Sequence, residues 1–164
     1  VDGTASVVFD NTYDEYMFVF TDINPDNDEE NFSFQVNAAG ASGYNETITS
    51  TFFNALHTEA DSTSLGYRTS ADQAQGTAFQ PLNEPDQLGN GSDESLSGIL
   101  HVFSPASTTY VTNFYATTNH YMYNSGSSNN FIAGYVNATA AVDEIQFKMA
   151  SGNFDGVIQM YGIA

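Results

Sequence analysis

The chain has 164 residues, enough for one domain and not for two sizeable ones. It carries 20 Asp and Glu against 2 Lys and Arg, a formal net charge of −18. With Arg68 and Lys148 as its only basic residues, it lacks the clustered cations that a phosphate-reading nucleic-acid binder needs, and it gains nothing from an anionic membrane surface. Disorder is the usual outcome of such a charge, but 13 Phe and 10 Tyr oppose it, because those rings need burial or a partner. A folded chain this acidic repels itself, and dissolved salt relieves the repulsion, so the composition fits salty, cation-rich water. The absence of Cys excludes disulfide and thiolate chemistry, and no apolar run approaches the length of a membrane-spanning helix.

Hydrophobicity runs with a period of two, the mark of strands. Ala5–Phe9 opens the series. Tyr16–Phe20 is apolar throughout and reads as a strand covered on both faces. An acidic turn around Pro25 leads to Asn31–Val36, whose strict alternation predicts a half-buried strand with Phe32, Phe34 and Val36 on one face. Thr47–Phe53 follows, although over Thr51–Ala60 the spacing of Phe52, Phe53, Leu56 and Ala60 also suits a helix. After Leu65–Thr69, the stretch Ser70–Glu94 is polar, aperiodic and interrupted by Pro81 and Pro85, and it reads as a long excursion over the surface. Leu96–Phe103, Tyr110–Thr117, Phe131–Val136, Ile145–Met149 and Val157–Tyr161 complete about ten strands, with Phe147 expected to point inward. Short strands punctuated by Gly, Asn, Asp, Ser and Pro predict an all-β protein. The expected fold is a single antiparallel β-sandwich over residues 1–164, jelly-roll-like in its strand count.

Three groups of residues are candidates for chemistry. Asp22, Asp26, Asp28 and Glu30 crowd oxygens into one turn, as a Ca²⁺ loop does, yet the EF-hand pattern is not met and a solvated hairpin tip has the same composition. If their segment is a strand, His57, Glu59 and Asp61 share one face, but successive residues on it stand about 7 Å apart, too far for one Zn²⁺ without a bend. The stretch from Tyr110 to Phe131 mixes Tyr with Asn, Ser and Gly, the composition of adaptable binding loops. Within it, His120, Tyr121, Tyr123, Asn124, Asn129 and Asn130 are the candidate ligand contacts, with flat rings and amides suited to sugar hydroxyls. The alternative is a strand whose tyrosines cap the core, followed by a flexible tip. No nucleophile elbow, phosphate loop or dinucleotide fingerprint is present. With 20 acids some carboxylate pair will always match a glycosidase spacing, so that test discriminates nothing. The residues therefore point away from an enzyme and call for no cofactor beyond the candidate Ca²⁺.

Three stretches, in order and together spanning most of the chain, resemble one family. Tyr13-Asp14-Glu15-Tyr16-Met17-Phe18-Val19-Phe20-Thr21-Asp22-Ile23 resembles its opening strand, and Ser97–Val111, with Ser104-Pro105 at its turn, resembles a central hairpin. Ala141–Asn153 followed by Ile158–Ile163 resembles its ending, the most specific of the three. The family is that of β-sandwich modules of marine tailed-phage virion proteins, C-terminal or free-standing domains of tail fibres and appendages. Ser104 stands where the family usually has Asn, and Thr112 where Lys is common. The resemblance implies a non-enzymatic protein on the virion surface, partnered by other virion proteins and by a host cell-surface glycan or protein. It also implies a homo-oligomer, with a trimer favoured by the fibre setting. A capsid-decoration protein that cements the phage head is the alternative, and an exported surface protein of a salt-adapted bacterium a third.

Overall fold

The computed structural model describes residues 7–9, 12–84 and 87–164. They form twelve strands and no helix among the described residues. In chain order these are β1 (Val7–Val8), β2 (Glu15–Pro25), β3 (Phe32–Ala38), β4 (Ile48–Thr58), β5 (Thr63–Tyr67) and β6 (Ala74–Gly76). They continue as β7 (Gln80–Pro81), β8 (Leu96–Phe103), β9 (Thr112–Met122), β10 (Gly126–Val136), β11 (Val142–Met149) and β12 (Phe154–Ile163). A four-stranded sheet runs β1-β11-β3-β7, and an eight-stranded sheet runs β12-β2-β8-β9-β10-β4-β5, with β6 also on β4. Every pairing is antiparallel. The two sheets close on each other as a β-sandwich.

Aromatic rings fill the space between the sheets. Phe147 of β11 lies 5.2 Å from Phe18 and 5.3 Å from Phe20 of β2, ring centre to ring centre. Phe34 of β3 meets Phe114 of β9 edge to face at 5.1 Å. As expected, Phe32, Phe34 and Val36 share the inner face, and Phe147 points inward with Ile145 and Met149. The segment open to two readings, Thr51–Ala60, begins as strand: Phe52 is buried and Phe53 exposed, the alternation of a strand rather than of a helical face.

Two expectations about coverage exchange places. Tyr16, Phe18 and Phe20 are buried, but Met17 and Val19 only partly, so β2 is covered on one face. β3 alternates polar and apolar yet is buried along its whole length. Loops fold over its outer face, and the Gln35 amide donates to the carbonyls of Glu46, Thr77 and Ala78. The Asn37 amide donates to Glu144 and its oxygen accepts the Tyr44 N–H.

Ser70–Glu94 is not a surface excursion. Ala71, Gln80, Leu82, Asn83 and Leu88 are all buried, and Leu82 and Leu88 join the hydrophobic core. Both basic residues of the chain hold this segment. Arg68 pairs with Glu84 at 2.9 Å, and the Lys148 ammonium sits 4.0 Å above the centre of the Phe79 ring.

Candidate functional site

The outer face of the eight-stranded sheet faces solvent, and its register can be read as rows across the strands. Tyr67, Phe53, Phe131, Thr117, Ile99 and Val19 stand side by side on β5, β4, β10, β9, β8 and β2. The next row is Thr51, Ala133, Tyr115, His101, Met17 and Tyr161, ending on β12. The third is Thr49, Tyr135, Asn113, Phe103, Glu15 and Ile163. Large apolar side chains lie open here: Phe53 is 44% exposed, Tyr115 45% and Tyr67 52%. Across the three rows Glu15 is the one acidic residue, and its carboxylate is held 2.6 Å from His101 Nδ1. At the border, the Tyr67 hydroxyl donates to Asp72 at 2.6 Å, and this hydrogen bond raises the phenol pKa.

The rings of this face stack on one another rather than presenting their planes. Phe53 and Phe131 are 4.9 Å apart and nearly parallel. His101 and Tyr115 are 4.6 Å apart, with Phe103 continuing the stack at 5.7 Å. Side chains rise roughly perpendicular to a sheet. Rings stacked from strand to strand therefore turn their edges outward, as two ridges. Between the ridges lies a hollow of about 230 Å³ with Thr51, Thr117 and Ala133 at its base.

At one end the face becomes polar and closes into a groove of about 430 Å³ lined by His57, Glu59, Asp61, Asn119, Tyr121 and Ser127 among others. Register brings them together, because Ser127 lies opposite His57 on one side and Tyr121 on the other. A tight turn after β4, with Asp61 at φ 62°, folds the acids back over the sheet end. His57 Nε2 is then 3.2 Å from Asp61, the Tyr121 hydroxyl donates to Glu59 at 3.3 Å, and the Asn119 amide donates to Ser127 Oγ at 2.8 Å. The groove thus offers a phenol, an amide, a hydroxyl, an imidazole and two carboxylates. That set can donate hydrogen bonds to a polar group and accept them from one.

The candidate ligand contacts divide between two sides of the sheet. Tyr121 lines the groove, Asn129 lies on the outer face, and Tyr123 and Asn124 are exposed at the β9–β10 turn. Ser127–Asn130 is strand and not a flexible tip, so the side chains of His120 and Asn130 point inward and are fully buried, His120 beneath the groove floor. They belong to an internal polar chain. The Asn130 amide lies 3.1 Å from His120 Nδ1 and donates to Thr118 Oγ1 at 3.2 Å, while its oxygen accepts the Ser128 hydroxyl at 3.2 Å. The Asn54 amide donates to Ser128 Oγ at 3.0 Å, and Asn54 accepts from Arg68 Nε at 2.7 Å. The Thr118 hydroxyl donates to the Leu82 carbonyl. His120 Nε2 has no hydrogen-bond partner among the described residues, and burial lowers the imidazole pKa to about 4.

The candidate Ca²⁺ ligands do not converge. Asp22 lies within β2, where its φ of 51° marks a bulge, and its N–H donates to Ser97 Oγ. The Asp28 carboxylate accepts the Asn90 N–H, and Asp26 is engaged through its main chain, its carbonyl accepting from the Asn90 amide and its N–H donating to the Asn153 carbonyl. Glu30 is buried and binds the N–H and hydroxyl of Ser151. Among the described residues no three His, Asp or Glu side chains are placed to hold a metal ion. Sequence reasoning missed Asn119 and Ser127, although the alternation of β9 and β10 places both on the side of Tyr121.

No protein-family model, curated protein or solved structure matches this chain.

Proposed function

We propose that the chain is a non-enzymatic surface module of a bacteriophage virion, of the tail-fibre or appendage type. In this reading it contacts the host surface through the groove at the polar end of the large sheet. The observation that supports it is the distribution of charge. In a chain of net charge −18, the three middle rows of one sheet face carry a single carboxylate, already bound to a histidine. Acid is sparse across this face up to its polar end, where Glu59 and Asp61 line the groove, and the other carboxylates of the chain are left to supply colloidal repulsion. The virion setting comes from the resemblance of the three sequence stretches. The ligand is a neutral glycan or a protein, because Glu59 and Asp61 repel an anionic one. A capsid-decoration role is the second reading, favoured by the outward ring edges of the middle rows, which suit protein packing better than sugar stacking.

The test has two arms. Host cells in 0.5 M NaCl should retain the chain. The Tyr121→Ala, Asn119→Ala variant should be retained about tenfold less, with a melting temperature within a few degrees of the parent. Gold-labelled antibody against the chain should mark appendages of intact particles. Label over the head selects the decoration role, and unlabelled particles overturn the virion reading.

A further inference from the structure

We propose that the apolar middle of this same face is an interface between two copies of the chain, stacked sheet on sheet about a twofold axis. The proposal rests on the reading that the outer face is the working surface, and it names what covers its centre. A twofold interface must be self-complementary, because the same patch meets itself. This face carries both halves of such a fit. The Phe53–Phe131 stack is a ridge, and beside it, before Tyr115, lies the hollow based on Thr51, Thr117 and Ala133. Turned over on itself, the face sets the ridge of one copy into the hollow of the other, as inner faces of packed sheets interdigitate.

Area and charge agree. Six strands and three rows, each strand taken as about 4.8 Å wide and each row as about 7 Å, cover roughly 29 Å by 21 Å, about 600 Å² per copy. Two copies bury on the order of 1,200 Å², the lower end of stable interfaces. Charge argues for this face over the rest of the surface, because elsewhere two chains of −18 bring carboxylates together. Here each brings Glu15 alone, already 2.6 Å from His101. The remaining repulsion acts at longer range and is screened when the Debye length falls to a few ångströms in concentrated salt.

Sedimentation equilibrium on the whole chain tests this at 0.05 M and 0.5 M NaCl. We expect a dimer at tens of micromolar in 0.5 M NaCl and at least tenfold weaker association in 0.05 M. Ala133→Glu, which adds a charge at the base of the hollow, should give a monomer in both, and so should Phe131→Glu. Ala133 is exposed, so its variant should keep the parent circular dichroism even if the Phe131 variant is perturbed. A monomer at several hundred micromolar in 0.5 M NaCl overturns the proposal. So does a dimer or trimer indifferent to Ala133→Glu. The host-cell assay separates the two readings: a monomeric parent whose Tyr121→Ala, Asn119→Ala variant still loses retention overturns the pairing alone. A dimer whose retention survives that variant overturns the groove alone.

Discussion

The inner face of the eight-stranded sheet is built in two ways. Toward one end Phe18, Leu100, Ala116, Ile132 and Phe52 meet the four-stranded sheet through apolar contact. Toward the other, Asn54, Ser128, Asn130, Thr118 and His120 form a hydrogen-bonded chain that meets the Gln80–Glu84 segment through Asn54 on Glu84 and Thr118 on the Leu82 carbonyl. Both halves are equally shut off from water. The difference lies in what each tolerates. Apolar packing loses stability in proportion to the volume removed, whereas a buried polar chain leaves the direct partners of a lost member unsatisfied. The apolar half holds the sheets together, and the polar half fixes which segment lies over the sheet.

The comparison breaks most plainly at Phe147, which touches Phe18, Phe20, Phe32 and Phe34 at once. Phe147→Ala should lower the unfolding free energy by about 3–5 kcal/mol in urea titrations, with the transition still cooperative. Arg68→Met comes next. It leaves the Glu84 carboxylate and the Asn54 oxygen without their cation and should lower stability by about 2 kcal/mol, less than for a fully buried pair because Arg68 keeps some solvent contact. The double variant Arg68→Met, Glu84→Leu should be more stable than Arg68→Met alone. If it is not, the pair does not hold the segment, and the distinction between the halves fails.

The smallest effect sharpens the comparison through pH. The imidazole of His120 is held neutral by burial, with its pKa at about 4 in the fold against an ordinary value of 6.5. Between those values the unfolded chain binds the proton and the folded chain does not. His120 therefore weakens the fold as pH falls from about 6.5 toward 4, and has no effect above. From pH 7.5 to 5.5 the loss should be about 1–2 kcal/mol. Paired denaturation curves at the two pH values should show this loss in the parent and not in His120→Gln.

The sandwich was legible because a period of two identifies a strand and sorts its residues into two faces. What period cannot tell is what covers each face. Tyr16–Phe20 promised burial on both sides and has it on one, because nothing in the chain folds over Met17 and Val19 among the described residues. Asn31–Val36 promised one buried face and has two, because Asn37 and Gln35 bind the loop that follows the strand, at Tyr44 and Glu46, and Gln35 also reaches Thr77 and Ala78. Leu82 and Leu88 were hidden by the polar residues around them, of which Gln80 and Asn83 are themselves buried, the Gln80 amide donating to the Ala71 carbonyl and the Asn83 oxygen accepting the Phe32 N–H. The candidate site was half legible. Tyr121 could be found by composition, but His120 beside it in a strand must point the other way, a consequence of the same alternation. His57, Glu59 and Asp61 needed the turn geometry before they could be placed beside Tyr121.

The pairing of β12 with β2 also has a kinetic meaning. Tyr161 lies opposite Met17 and Phe154 opposite Pro25, so every rung of that ladder joins residues more than a hundred positions apart. During synthesis β2 is made long before its edge partner exists. Until β12 arrives, the side of β2 away from β8 stays open, with its N–H and carbonyl groups free to pair with another strand. Such distant closures fold slowly, on the scale of milliseconds to seconds. The mutual repulsion of strongly acidic chains then has a second use, keeping nascent copies apart during the interval in which each still offers an open edge.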